Sequence, residues 1–534
     1  MSQTSPSSDN KSPSRDTSLD EAKLDVQPAA VHIEQSDVAQ PSFDDSIEDT
    51  EPSKAVWLIT FTVAMGGFLF GYDTGVISAV LVSLKSDLGH ELSSSEQELI
   101  TSITSGGALI GALIAGLPAD RYGRKLGIYI GCTLFLVGTI IQAAAFTVAQ
   151  MTVGRFVVGL GVGSAAMIIP LYIGELAPAR HRGRMIAFDN MSVTFGQLIS
   201  YALGAGFTEV PHGWRYMVAV GGVPPIVLAF LLPNCPESPR QLISHGKIQE
   251  AARVIKRVYP HASEQQVASK VGHMTWAVEV EARATSGSLW NRFKELHVVP
   301  SNLRALVCAC AIMAISQLGG FNTLMYYSAT LFGLVGFDKP VAVSIVVGGT
   351  NFVFSLVNLL VIDKVGRRRI LLVTVLGMSI SMAVAAVAFH WIPVSSDLQL
   401  QSTSVNWASI LVLVTIIIYV ACFAGGVATI AWVGTELLPL EVRALGTMMN
   451  TVVCWGCNII IASTFLSMMK GMTPSGAFGF YAGICFFGWI FVILCYPEAN
   501  GLPLEDVRQI FANGFGVKKA NELQKIRKLN ATTV

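Results

Sequence analysis

Residues 116–125 read GLPADRYGRK, and residues 362–369 read IDKVGRRR. Each closes a long apolar run, and in each an Asp is followed at the same spacing by Gly-Arg; 243 residues separate Asp120 from Asp363. Two more pairs recur in the same order. Glu175-Leu176-Ala177-Pro178 ahead of Arg182 matches Glu436-Leu437-Leu438-Pro439 ahead of Arg443, and Pro236-Glu237 matches Pro497-Glu498, both at an offset of 261. Three pairs in register imply a duplicated chain. Crossing a hydrocarbon core of roughly 30 Å takes about 20 mostly apolar residues. Twelve such runs are present, near 56–83, 97–119, 126–149, 152–177, 186–208, 215–233, 303–334, 340–362, 370–392, 408–438, 444–468 and 477–496. The reading is an all-α membrane protein with twelve transmembrane helices in two six-helix halves, 55–233 and 303–496. Parallel repeats of this kind place a binding site between the halves near the midplane.

Composition agrees: with 52% hydrophobic and 13% charged residues, the chain is too apolar for a soluble protein of its length. Charge placement predicts orientation. Loops on one side carry Arg121, Arg124, Lys125, Arg180, Arg182, Arg184, Lys364, Arg367, Arg368, Arg369 and Arg443; those on the other carry Lys85, Arg215, Lys339 and Lys470. The positive-inside rule makes the richer side cytoplasmic, together with both termini and the central loop 234–302. Within that loop Ile248–Val258 has the pattern of an amphipathic helix lying against the bundle. Residues 1–54, rich in Ser, Asp and Pro, read as a disordered, solvated tail, and 497–534 as a second cytoplasmic tail. No cleavable leader is evident ahead of the first span, which is expected to direct insertion itself. The nine cysteines lie in or beside apolar spans and read as buried small residues, Cys454 and Cys457 included. No metal site, nucleophile, phosphate-binding loop or nucleic-acid surface is indicated, so an enzyme is not expected.

Among the spans, Asp73 reads as the only acidic residue well away from a membrane boundary. It lies 16 residues past Trp57, about 24 Å along a helix. Span 4 runs the other way, and Arg155 enters it at a similar height, so the two can meet. Such a pair is either a structural tether or a proton switch, the carboxylate being ionised beside the guanidinium and protonated when it moves away. Uncharged hydrogen-bonding groups also line the spans: Asn190 and Gln197, Gln317 and Asn322, Asn351 and Asn458. Each alone could be an interhelical tie. With Tyr326, Tyr327, Trp432 and Trp455 they suit a neutral polyhydroxylated ring, amides for its hydroxyls and aromatics for its apolar face. Gly319-Gly320 should bend span 7 beside that pocket. At the loops, Asp120, Glu175, Asp363 and Glu436 face Arg124, Arg182, Arg367 and Arg443, a network able to bias one conformation, or simply topology-setting charge.

At these residues the chain resembles the sugar porter family of the major facilitator superfamily. The matching segments are GYDTGVISA (71–79), the two D-x-x-G-R loops, GRFVVGLGVG (154–163), YIGELAP (172–178), PESPR (236–240) and Gln317–Tyr327. Within the family it is most similar to fungal myo-inositol/proton symporters, through Phe321–Tyr326, Gly349–Phe352 and Ile461–Leu466. The resemblance implies protonation at Asp73 with Arg155 as partner, and substrate contacts at Gln197, Gln317, Asn322, Asn351 and Trp455. Ser316, Asn190 and Cys454 depart from the hexose-porter pattern, so a standard glucose site is not implied. The expected activity is uptake of myo-inositol by proton symport, by a monomer in the lipid bilayer of the plasma membrane, with the proton as coupling ion and no cofactor. A hexose carrier, a facilitator of the same family and a non-transporting nutrient sensor stay open as alternatives; the short segment after Pro497 speaks against the sensor.

Overall fold

The computed structural model describes residues 46–178, 181–284, 288–395, 398, 405–498 and 510–523. The first half runs through α1 (Lys54–Ser83), α2 (Ser94–Tyr122), α3 (Arg124–Ala143), α4 (Val148–Leu176), α5 (Arg182–Phe207), α6 (Gly213–Val220) and α7 (Val223–Leu231). Four shorter helices follow: α8 (Pro239–Ser244), α9 (Ile248–Val258), α10 (Glu264–Ala284) and α11 (Leu289–Val298). The second half comprises α12 (Pro300–Leu318), α13 (Phe321–Leu334), α14 (Pro340–Val365), α15 (Arg367–Phe389), α16 (Trp407–Ala424), α17 (Val427–Val433) and α18 (Leu440–Cys495).

Among the described residues, ten stretches are long and apolar enough to cross a membrane. One of them, Val442–Cys495, contains two crossings, because Thr473 takes φ 65° just before Pro474 and ends the first. The polar α5 supplies the remaining crossing, which gives twelve. Large apolar side chains such as Phe230, Val373 and Phe487 are more than two-thirds exposed, a surface suited to lipid.

Local chemistry fixes the ends. Ser93 and Glu96 form a capping box at the start of α2, Thr147 caps α4, and Asn406 caps α16. Three expected spans are interrupted. Span 7 breaks at Gly319-Gly320 as its sequence suggests. Span 6 is divided at Gly221-Gly222, ahead of Pro224-Pro225, which have no N–H for the helix ladder, and span 10 at Gly425-Gly426. α2 and α4 pack with almost no side chain between them: a Cβ on Gly163 would lie 1.9 Å from the Ala108 carbonyl oxygen, and one on Gly111 would lie 2.2 Å from that of Leu160. Small residues permit this approach.

Residues 46–53 depart from the expectation of a solvated tail over 1–54. Ser46–Asp49 form a short 3-10 turn whose Ile47 is fully buried, and Glu48 accepts from Lys270 at 2.7 Å and from the Tyr259 hydroxyl at 2.8 Å. One apolar residue inside an acidic run is enough to dock it, because α9 and α10 supply both a pocket and a counter-charge. Burial, then the Glu48 hydrogen bond and charge, push the Tyr259 hydroxyl above the usual tyrosine range. Residues 1–45 lie outside the described residues. α9 buries Ile255 and Val258 against the bundle and Ala251 against α8, and residues 510–520 pack on the second half through Ile510, Phe511 and Ala520, with Arg304 donating to the Phe511 carbonyl at 2.8 Å.

Candidate functional site

Asp73 sits mid-way along α1 and Arg155 near the start of α4, and their antiparallel course brings them level. Arg155 Nη1 donates to Asp73 Oδ1 at 2.7 Å. Arg155 is 1% exposed and Asp73 7%, and Arg155 Nε also reaches the Ile100 carbonyl of α2 at 3.4 Å. The ion pair therefore ties three helices of the first half, and a small internal gap lined by Tyr72, Asp73, Thr139 and Gln142 adjoins it.

The expected amides form two clusters. Asn351 of α14 donates to Gln197 of α5 at 2.6 Å, directly across the halves. Gln317 accepts from Asn322 at 2.7 Å, bridging the α12–α13 break, and from Asn458 at 3.5 Å; Tyr326 donates to Asn458 at 3.2 Å. Trp455 stacks edge-on against Phe70, 5.8 Å between centroids, and is buried among residues of the first half. Two expected members differ in burial. Asn190 and Trp432 are exposed. Asn190 shares a helix face with Gln197, two turns nearer the side of the termini, yet it is exposed where Gln197 is buried.

On the opposite side the two halves meet. Ser78 and Ser328 are in hydroxyl contact at 3.0 Å, Tyr201 donates to the Met325 carbonyl at 2.6 Å, and Ser467 donates twice to Glu98. These contacts close the two halves against each other at the far side.

The loop network is only partly as expected. Arg124 is held by Asp120 and by a two-pronged contact with Glu175 at 3.1 and 3.2 Å. Arg182 is exposed at the first turn of α5 and makes no ion pair with Glu175, whose two oxygens Arg124 already occupies. Arg443 Nη2 donates to the Leu438 carbonyl at 2.9 Å, and Arg367 opens α15 half-buried. The side chains of Asp363 and Glu436 lie outside the described residues. Sequence reading missed the two carboxylates that organise each loop: Glu237 accepts from the Arg124 N–H at 2.9 Å, and Glu498 from the Arg368 N–H at 2.9 Å. Their repetition at equal offset was the available signal. Ser105, which donates to Asn458 at 3.0 Å from α2, was also missed, since a lone serine in a span is unremarked. Asp189 is a further correction. It lies inside α5, 5% exposed against Gly67, so Asp73 is not the one acid within the spans.

Twelve crossings in two six-helix halves, with a polar cluster between them, define a secondary transporter of the major facilitator type. The chain belongs to the sugar (and other) transporter family, which it matches over residues 59–511. It is 45% identical to myo-inositol transporter 1 of Cryptococcus neoformans var. grubii, over 90% of this chain and 85% of that protein. It is 40% identical to myo-inositol transporter 1 of Saccharomyces cerevisiae, over 96% and 88%. Among solved structures it resembles the E. coli xylose transporter XylE in a partially occluded inward open conformation, at 25% identity and a TM-score of 0.71, covering 85% of this chain and all of that one. The proton:xylose symporter XylE bound to 6-bromo-6-deoxy-D-glucose matches at 26% identity and a TM-score of 0.70, covering 85% and 99%.

Proposed function

We propose that this chain imports myo-inositol together with a proton, one half rocking against the other so that the site faces each side in turn. The observation that carries the coupling is the Asp73–Arg155 pair, buried in the membrane and in hydrogen-bonding contact at 2.7 Å. Protonating Asp73 removes the charge that holds Arg155, which frees α1 to shift against α4; releasing the proton re-forms the pair. Asp73 is the proton site and Arg155 its partner, in place of any resident cofactor.

The substrate half of the reading is supported by the neutral amides at Gln197, Gln317, Asn322, Asn351 and Asn458, with Tyr326 and Trp455 beside them. A polyol needs donors and acceptors without net charge. Asn190 and Trp432 complete the enclosure when the halves close on the side of the termini, where Arg124, Glu175 and their counterparts bias the equilibrium. The relatives named above are myo-inositol transporters, and the XylE neighbour is a proton symporter. The protein works as a monomer in the plasma membrane with both termini in the cytoplasm. On that orientation the N-x-S/T sequons at Asn10 and Asn530 stay unglycosylated.

Labelled uptake in transport-deficient cells tests the reading, with myo-inositol compared with glucose as external pH varies. Uptake should prefer myo-inositol, rise with external acidity and collapse with a protonophore. Asp73→Asn should abolish concentrative uptake, by about tenfold or more, while leaving exchange of substrate down its gradient. Accumulation that ignores both pH and protonophore would remove the symport, and a preference for glucose would remove the substrate.

A further inference from the structure

On the side opposite the termini the two halves share one buried carboxylate. Glu98, near the start of α2, is 4% exposed, and each of its oxygens accepts from a single residue of α18: the Ser467 backbone N–H at 2.7 Å and the Ser467 hydroxyl at 2.6 Å. Both lengths fall in the range of bonds to an ionised acceptor. The neighbouring contacts across the halves, Ser78 with Ser328 and Tyr201 with the Met325 carbonyl, are between neutral groups.

A buried carboxylate without hydrogen-bond partners is strongly unfavourable. Glu98 can stay dehydrated only while Ser467 is seated against it. Once this side opens, water solvates both residues and the two bonds vanish. The contact therefore exists in one of the two conformations, which is what a group must do to shift the balance between them.

We propose that Glu98 is the latch of the gate opposite the termini, extracellular in the orientation proposed above, and that its clasp on Ser467 holds that gate shut while the other side is open. The latch rests on alternating access but not on the substrate or on the proton. Its chemistry is a match of two acceptor oxygens to two donors on one residue. Glutamine can preserve most of it, its oxygen taking the N–H and its amide donating to the hydroxyl, which turns to accept. Alanine offers neither bond, and aspartate keeps the charge but falls one methylene short.

The test is a distance measurement between spin labels at Glu91 and Lys470, both exposed, the first just ahead of α2 and the second in the last turn of the first crossing of α18. It is made without substrate, in a transport-competent background with the nine cysteines replaced. Glu98→Ala should raise the long-distance, far-side-open population about tenfold. Glu98→Gln should restore most of the parent distribution, and Ser467→Ala should have a smaller effect, because the N–H bond survives. The double variant should go no further than Glu98→Ala alone. Should Glu98→Ala fail to fold, Glu98→Asp provides the same comparison, with longer distances expected despite the retained charge. Parent-like distances in Glu98→Ala or Glu98→Asp, or additive effects in the double variant, would overturn the latch. A failed symport assay leaves the result standing, because the distances are read with no substrate present.

Discussion

Asp87, in the loop between α1 and α2, accepts from His212 Nδ1 and from Trp214 Nε1, each at 2.7 Å, and so joins the first crossing to the sixth at the far side. Burial alone would raise its carboxyl; the two hydrogen bonds and the charges of His212 and Arg215 outweigh that and hold it below the usual carboxylate range. A folded-state value below the unfolded one, near 3.9, means the stabilisation is present above that pH and is lost as the pH falls through the folded value. Asp87→Asn should therefore lower the melting temperature of purified protein by a few degrees at neutral pH, with the gap to the parent closing below about pH 4. A gap that stayed constant down to pH 3 would detach the effect from ionisation. Which residues could be found in the sequence follows a physical rule: Asp73 and Arg155 stand out because a charge in an apolar run is costly wherever its partner lies. Asp87, Glu98 and Ser105 do not, because their meaning depends on a neighbour more than a hundred residues away, or on a side chain of the opposite half. Glu237 and Glu498 were visible as a repeat but not as caps. Their role needs Gly123 and Gly366 at φ 110° and 93°, where a Cβ would come within 2.5 and 2.7 Å of the carboxylate oxygens.

Among the elements, the broken span α12–α13 places more of the site than any continuous helix. Gly319 and Gly320 end one helix and begin the next, with Gly320 at φ 94°, so that Gln317 and Asn322 face each other across the break at 2.7 Å. A straight helix would set residues five apart on different faces. Gly320→Ala meets two obstacles: the left-handed backbone, which costs about 1–2 kcal/mol for an L side chain, and the ring of Tyr481, 3.0 Å from the new Cβ. Uptake at saturating substrate should fall several-fold while the protein still reaches the membrane, and a normal rate would show that the break is dispensable. The Gly-Gly pair made this bend legible in advance. The matching break at Gly425-Gly426 carries the same two residues and was passed over, because the apolar run around it is long enough to span unbroken. α5 shows the converse. Its polar residues lower its hydropathy, yet Asp189 packs against Gly67 of α1 and Gln197 meets Asn351 of α14, so the helix poorest in membrane character contributes two buried polar groups.

For the molecule as a whole, the duplication seen in the loops has a mechanical consequence. Two halves of similar architecture can exchange one set of contacts for another, provided that the contacts on each side are separately weak. The far-side seal fits this, being made of hydroxyls, the Glu98 carboxylate and an exposed Lys339–Glu209 pair, each facing a partner in the other half. Ser78 and Ser328 form one such pair, both buried, with their oxygens 3.0 Å apart and the Ala329 N–H also bonded to Ser78 at 2.9 Å. Replacing both with cysteine places two sulfurs where a disulfide of about 2.05 Å requires only a small approach. If the halves must separate here in each cycle, oxidising Ser78→Cys/Ser328→Cys should stop uptake almost completely, and a reductant should restore it. Each single variant, which cannot cross-link, should keep most of its activity under the same oxidant. The native cysteines are no obstacle to reading the result, since the single variants carry all of them. Continued uptake by a double variant shown by mass to be cross-linked would mean that substrate passes without this side opening, and rocking of one half on the other would have to be abandoned.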